Sequence, residues 1–271
     1  MFLEEIKKIF EKNLAPKLFR LNSEIYGLQY GKKSKNKIIK KVMLTIDLSL
    51  EAVHFALKNK INLLISHHGL INDPIKYFNQ NIINKLSLLS KFPISIFVLN
   101  SPFIAAEGGI SDTILEALYL KLESTFDIKT ENGVKVPIGR ICLPKNYPNQ
   151  TNPLTLEDLI KRIKNNLNLQ VVSYVGDLKK EIKKICIIGG ETSTNKFLRK
   201  ALNIGCDCYI SGRINYFGAV FARDVGLNLV ETSHYKNEFI ALQKLCNILS
   251  LEFPYVEFIL FDSKDPYKMY F

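Results

Sequence analysis

The sequence is short of the residues that would declare a function at sight. Its five cysteines, at 142, 186, 206, 208 and 246, form no CxxC pair. An odd count without paired spacing speaks against a disulfide framework and against a thiolate zinc ribbon. No run approaches the roughly 20 consecutive apolar residues of a membrane-spanning helix, so no membrane association is expected. The opening residues, MFLEEIKKIFEKNLAPKLF, mix Glu4, Glu5, Lys7 and Lys8 with hydrophobics at helical spacing. A secretory signal has an uninterrupted apolar centre instead, and a cytoplasmic location is the expectation. Histidine is scarce as well: there are four in 271 residues, and two of them, His67 and His68, are neighbours.

What is present reads as a globular protein. The chain is 47% hydrophobic and 23% charged, and it is long enough for one large domain or two ordinary lobes, each with its own core. Lys and Arg outnumber Asp and Glu by 37 to 26, and part of this excess clusters in GKKSKNKIIKK, residues 31–41. Without interleaved aromatics this run reads as a solvated basic hairpin loop between two strands, and nucleic acid is not an expected partner. Cys206 and Cys208 flank Asp207 on a strand-like segment and would share one face. Core filling is the reading for them, with a soft-metal role as its rival.

Periodicity predicts a helix over 3–13, strands at EIYGLQYG and KVMLTID, and a helix at SLEAVHFALKNK. A strand NLLISH, a long helix over 75–90, a strand ISIFVLN and a helix SDTILEALYLKL follow. After about residue 125 the pattern loosens into Gly, Pro and Asn-rich hairpins and loops. It resumes with a helix over 156–167, strands VVSYVG and KKICIIGG, a helix over 193–203, strand CDCYISG, a helix over 215–225, strand NLVETS and a helix over 236–249. Apolar strands alternating with amphipathic helices predict an α/β fold of two related lobes, 1–125 and 126–271, the second beginning with an irregular middle segment. A shift of 145 residues places Ala56-Leu57 on Ala201-Leu202 and Ile65-Ser66 on Ile210-Ser211, as an internal duplication would. In that register His67 and His68 fall on Gly212 and Arg213. At the next strand end, matching VLNSPFIA with VETSHYKNE puts Asn100 on His234 and Ile104 on Glu238, so each half offers ligand-type residues at one strand end only.

His234 and Glu238 are four residues apart where a strand passes into a helix, and on a helix they share a face. Such a pair can hold one metal ion, although from this pair alone the first reading is that Glu238 favours the positive end of the helix dipole; the adjacent histidines shift the balance. Adjacent histidines on a regular strand point to opposite faces. His67 and His68 can serve one site only where the strand ends, and Gly69 stands there. Open α/β sheets carry their ligands beyond the carboxyl ends of the strands, where all four residues fall. The fourth histidine, His54, lies within a helix and reads as structural. IIGGETSTNKFLRKAL runs from a strand through Gly189-Gly190 into a helix; its amides could cradle a phosphate, but it lacks Gly-Lys-Ser/Thr and reads as a tight turn.

TIDLSLEAVHFALKNKINLLISHHGLI resembles the Nif-three-like family, whose bacterial members are commonly called GTP cyclohydrolase 1 type 2 homologues. GLQYG (27–31), GGISD (108–112), IGGETST (188–194) and GLNLVETSHYKNEF (226–239) match further family segments in order. The resemblance implies two related α/β lobes, a ring-like homohexamer and a site for two metal ions. It places His67, His68, His234 and Glu238 on family metal ligands. It also implies losses: the family's first-lobe His and Asp are Asn100 and Ile104 here, and an acidic residue in the second lobe is Arg213. An aliphatic side chain cannot coordinate, and a guanidinium repels a cation. At most one divalent ion per chain, zinc or iron, is therefore expected, on His67 or His68 with His234 and Glu238. Two functions remain open. One is a ring-forming scaffold or regulator of weak or no catalytic activity; the other is a metal-dependent hydrolase acting on a nucleotide or another small phosphorylated ligand.

Overall fold

The computed structural model describes residues 1–21, 24–31, 37–71, 75, 77–148 and 151–269. Two units emerge from the packing of the chain. Met1–Ala106 together with Glu238–Phe271 forms the first, and Glu107–Asn237 forms the second.

The first unit opens with α1 (Leu3–Ile9), followed by β1 (Gly27–Tyr30), β2 (Lys41–Thr45), α2 (Leu50–Lys58), β3 (Leu63–Ser66), α3 (Gln80–Ser90), β4 (Ser95–Val98) and α4 (Ser101–Ala105). Its sheet has the order β1-β4-β3-β2 and is completed by a strand from the far end of the chain, Glu257–Leu260. That strand runs parallel to β2, pairing Leu260 with Leu44. The second lobe expected from the sequence thus does not keep the chain's last residues. β3 and β4 are buried at every position, and β2 at every position after Lys41, as parallel strands covered on both faces must be. Met43, Leu64, Ile96 and Val98 pack on one side against Ala52, Val53, Ala56 and Leu57 of α2 and Leu89 of α3. Side-chain caps set the helix starts, with Ser49 accepting from the Ala52 amide and Asn79 from the Ile82 amide.

The strands on either side of the basic run are not paired as the expected hairpin requires: among the described residues β1 pairs antiparallel with β4 and has no ladder with β2. Residues 32–36 of that run lie outside the described residues. Lys37 and Lys41 have structural bonds: the Lys37 ammonium donates to the Pro93 carbonyl and the Ser95 hydroxyl, and Lys41 pairs with Glu257 at 2.7 Å.

The second unit comprises α5 (Ile110–Ala117), β5 (Lys121–Lys129), β6 (Lys135–Leu143), α6 (Leu156–Asn166), β7 (Tyr174–Val175), β8 (Ile185–Ile188), α7 (Asn195–Asn203), β9 (Cys208–Ser211), α8 (Tyr216–Val225) and β10 (Asn228–Glu231). Its sheet order is β5-β6-β8-β9-β10-β7, with β8, β9 and β10 parallel and β5-β6 an antiparallel hairpin. The helix expected at SDTILEALYLKL ends at Ala117, and its last two residues already belong to β5. Cys206 precedes β9 rather than sharing it with Cys208, and all five cysteines are buried and free. A helix, α9 (His234–Glu252), follows β10, and β11 is the Glu257–Leu260 strand already described.

The internal duplication holds in the backbone. α2 and α7, and β3 and β9, begin 145 residues apart. The spacing then shortens: β4 and β10 begin 133 residues apart, and the ladders pair Ser66 with Val98 and Ser211 with Glu231. Asn100 and Ser233 both take left-handed φ angles, 47° and 66°, immediately before their helices. In backbone terms Asn100 therefore corresponds to Ser233, not to His234, and Ile104 to Asn237, not to Glu238. The strand ladder and the left-handed residue fix this register, which is one residue off the alignment read from the letters.

In the second unit Arg140 of β6 is 3% exposed and is held by Asp112 of α5, with the Nε donor on one oxygen and Nη2 2.9 Å from the other. Asp112→Ala would leave a buried guanidinium without its counter-charge, at a cost of about 3–5 kcal/mol. Urea unfolding of the variant should show a loss of that size, and a loss under about 1 kcal/mol would contradict it.

Candidate metal centre

The site is built at the carboxyl end of the first sheet. The β2-β3 ladder continues one step past both strands: the His67 amide donates to the Thr45 carbonyl and the His68 amide to the Ile46 carbonyl, at 3.0 and 2.9 Å. The Ser66 hydroxyl also donates to the Ile46 carbonyl. Beyond Ser66 the chain turns. The alternation of a regular strand no longer applies, and both imidazoles come to one side with ring centroids 4.7 Å apart. After the turn the Leu70 amide is held by the Gln29 side chain of β1. On the other flank the Asn100 amide donates to the His67 carbonyl, and the Phe103 ring lies edge-on to His67 at 6.2 Å.

Glu238 supplies the carboxylate. His67 Nε2 lies 3.2 Å and His68 Nε2 3.4 Å from Glu238 Oε1. One ligand atom from each of the three side chains falls within 4.8 Å of the others, and this is the one such group of three or more among the described residues. His67 and Glu238 are each 1% exposed, while the His68 side chain is 26% exposed. A carboxylate so far from water needs positive partners, since an uncompensated buried charge costs several kcal/mol. His67 Nδ1 is buried and has no hydrogen-bond partner among the described residues. Two imidazoles and one carboxylate, each offering one ligand atom, form a donor set that suits a divalent ion of the zinc or iron type.

The expected ligands are thus partly brought together. His67 and His68 both join Glu238, where one of the pair was expected to serve. His234 opens α9, one helical turn ahead of Glu238, and stands outside the convergent group. Asn100 spends its side-chain amide on the Ile25 carbonyl, and Ile104 is half-buried on α4. Arg213 is exposed in the second unit, and His54 is exposed on α2. Sequence reasoning missed Asp47, whose carboxylate lies 2.8 Å from His68 Nδ1. The available signals were its place at the end of a predicted strand and the Asp-containing strand of the family resemblance, and neither assigned it a role at the site.

The second unit has closed its corresponding position. Gly212, the counterpart of His67, would place a Cβ 2.7 Å from the Gly189 carbonyl oxygen and 3.2 Å from that of Gly190. Ser193 accepts from the Asn215 amide and donates to the Arg213 carbonyl, and the Thr192 amide is taken by Ser211. With these groups engaged, the Gly189-Gly190 segment behaves as the tight turn expected of it.

In the metal-free protein, burial pushes the His68 pKa down, but the hydrogen bonds and charges of Asp47 and Glu238 more than offset this and bring it up to about 10. A folded-state value above the ordinary 6.5 means that the proton's stabilising effect is complete below that pH and is lost as the pH climbs through about 10. Chelator-treated protein should therefore lose urea resistance between about pH 7 and pH 9, and His68→Gln should flatten that part of the profile. A flat wild-type profile would refute the assignment.

Comparison with known proteins agrees with this architecture. A GTP cyclohydrolase 1 type 2 homolog from Clostridium perfringens is 28% identical over 272 residues, covering 99% of each chain. One from Streptococcus pneumoniae is 30% identical over 260 residues, covering 92% of this chain and 91% of its own. Among solved structures, reduced HcgD from Methanocaldococcus jannaschii superposes with a TM-score of 0.79 at 26% identity over 97% of this chain and 98% of its own. A Bacillus cereus protein related to NIF3 shares the fold, with a TM-score of 0.83 at 19% identity over 100% of this chain and 99% of its own. Residues 1–266 match the profile of the Duf34/NIF3 (NGG1p interacting factor 3) family, and with that match over nearly its whole length the chain belongs to this family.

Proposed function

We propose that this protein binds a single divalent metal ion per chain, with His67, His68 and Glu238 as ligands and His234, which the resemblance places on a family ligand, as a further donor, and that it acts as a ring-forming scaffold or regulator of weak or no catalytic activity. The observation that carries the reading is the convergence of two imidazoles on one buried carboxylate oxygen. That group contains one carboxylate, which offsets the charge of one divalent ion far better than that of two. Asn100 and Ile104, at positions where the resemblance implies a further His and Asp, add no anionic ligand.

Metal analysis of protein purified in non-chelating buffer should find about one zinc or iron per chain. Its absence would sink the reading. Glu238→Gln removes the carboxylate of the group and should abolish tight binding, whereas Ile104→Asp should raise the stoichiometry toward about two. An Ile104→Asp protein that stays at the wild-type stoichiometry would count against Ile104 as a lost ligand position.

A second reading, a metal-dependent hydrolase of a nucleotide or another small phosphorylated molecule, draws support from the partial exposure of His68, which leaves a side of the donor set within reach of water. In that case a bound ion would supply an acidified water and polarise the scissile group.

The assembly is proposed from the family resemblance as a homohexamer. Light scattering at micromolar concentration should return a stable multimer of that size, and a stable monomer would refute it.

A further inference from the structure

Asp47 lies just beyond β2, and its position follows from the parallel pairing of β2 with β3. Thr45 is paired with Ser66, and the extended ladder places Ile46 and Asp47 beside His67 and His68. The Asp47 carboxylate meets His68 Nδ1 at 2.8 Å, and the opposite ring nitrogen, Nε2, is the one that faces Glu238. Asp47 itself lies outside the group whose ligand atoms converge. Its side chain is 55% exposed, and the Thr45 hydroxyl donates to its backbone carbonyl. A carboxylate that accepts from one nitrogen of an imidazole fixes the tautomer, the ring orientation and the basicity of the other nitrogen.

We propose that Asp47 is a positioning residue for the metal site: it holds His68 by Nδ1–H so that Nε2 is presented, deprotonated and oriented, to the ion. The inference rests on the metal-binding reading above. The rival explanation is that Asp47, two residues ahead of the cap Ser49, serves only the start of α2. That role would affect stability and leave ion binding alone.

The test uses the full chain, stripped of metal and titrated with zinc against a competing chelator, as wild type, Asp47→Asn and Asp47→Ala. Asp47→Ala should bind zinc about 10- to 100-fold more weakly. Asp47→Asn keeps a neutral acceptor, which is a weaker partner than a carboxylate, and should fall between the two. Nitrogen-15 resonances of histidine in the zinc-loaded wild type should show His68 protonated at Nδ1 and bound through Nε2. The inference is overturned if Asp47→Ala stays within about twofold of wild type while its urea midpoint drops, or if zinc sits on Nδ1. Should the alanine variant not fold, Asp47→Asn decides, since an unchanged affinity there overturns the inference as well. A wild type that takes up no zinc would instead sink the metal reading itself, which is a separate outcome.

Discussion

A carboxylate withdrawn from water is the constraint around which the first unit is arranged. Glu238 is 1% exposed, and burying an ionised group is tolerable only when opposite charge and hydrogen-bond donors meet it at close range. Two imidazoles do so, and they can do so only because β3 stops at Ser66 and lets consecutive residues turn to the same side. That stop is in turn held by backbone bonds from β2 and from Asn100, and by Gln29 of the edge strand. An ion placed among these groups would replace protons as the balancing positive charge. Folding and metal binding therefore draw on the same electrostatic balance.

Much of this was legible in the letters. A Ser-His-His-Gly sequence ending an apolar strand and a His-x-x-x-Glu pair at a strand-to-helix turn both name the kind of chemistry. The 145-residue offset correctly matches α2 to α7 and β3 to β9. The failures have physical reasons. β11 is a four-residue strand whose pairing partner is more than 200 residues away, and no local pattern records such a contact. Asp47 looks in sequence like any acidic residue near a helix start; only the parallel register puts it against His68. The one-residue slip between Asn100 and His234 arises because letters were matched where a left-handed backbone residue sets the frame. The basic loop misled because two strands adjacent in sequence were assumed adjacent in the sheet.

The two halves have diverged in what their strand ends do. In the first unit, positions 67 and 68 carry imidazoles and face a carboxylate. In the second, the matching turn is filled by hydrogen-bonded main chain and small side chains, with Ser193, Ser211, Thr232 and Asn237 all buried. The Asn237 amide donates to the Gly189 carbonyl and to the Thr232 hydroxyl, drawing the start of α9 onto this network. One half sets two imidazoles against a carboxylate, and the other spends the same geometry on hydrogen bonds of its own.

That difference bears on how the protein can change. On an open surface a ligand can be gained by a single substitution. Gly212 is not in that position, because any side chain there would collide with the carbonyl oxygen of Gly189, a backbone atom that cannot rotate out of the way as a side chain would. Placing a histidine there would require the β8 turn to move first, and that turn is tied to neighbours at Ser211 and Asn237. The close approach of two glycine backbones thus works as a lock: at this point the main chain itself bars a second imidazole pair, so the asymmetry between the halves does not hang on side chains alone.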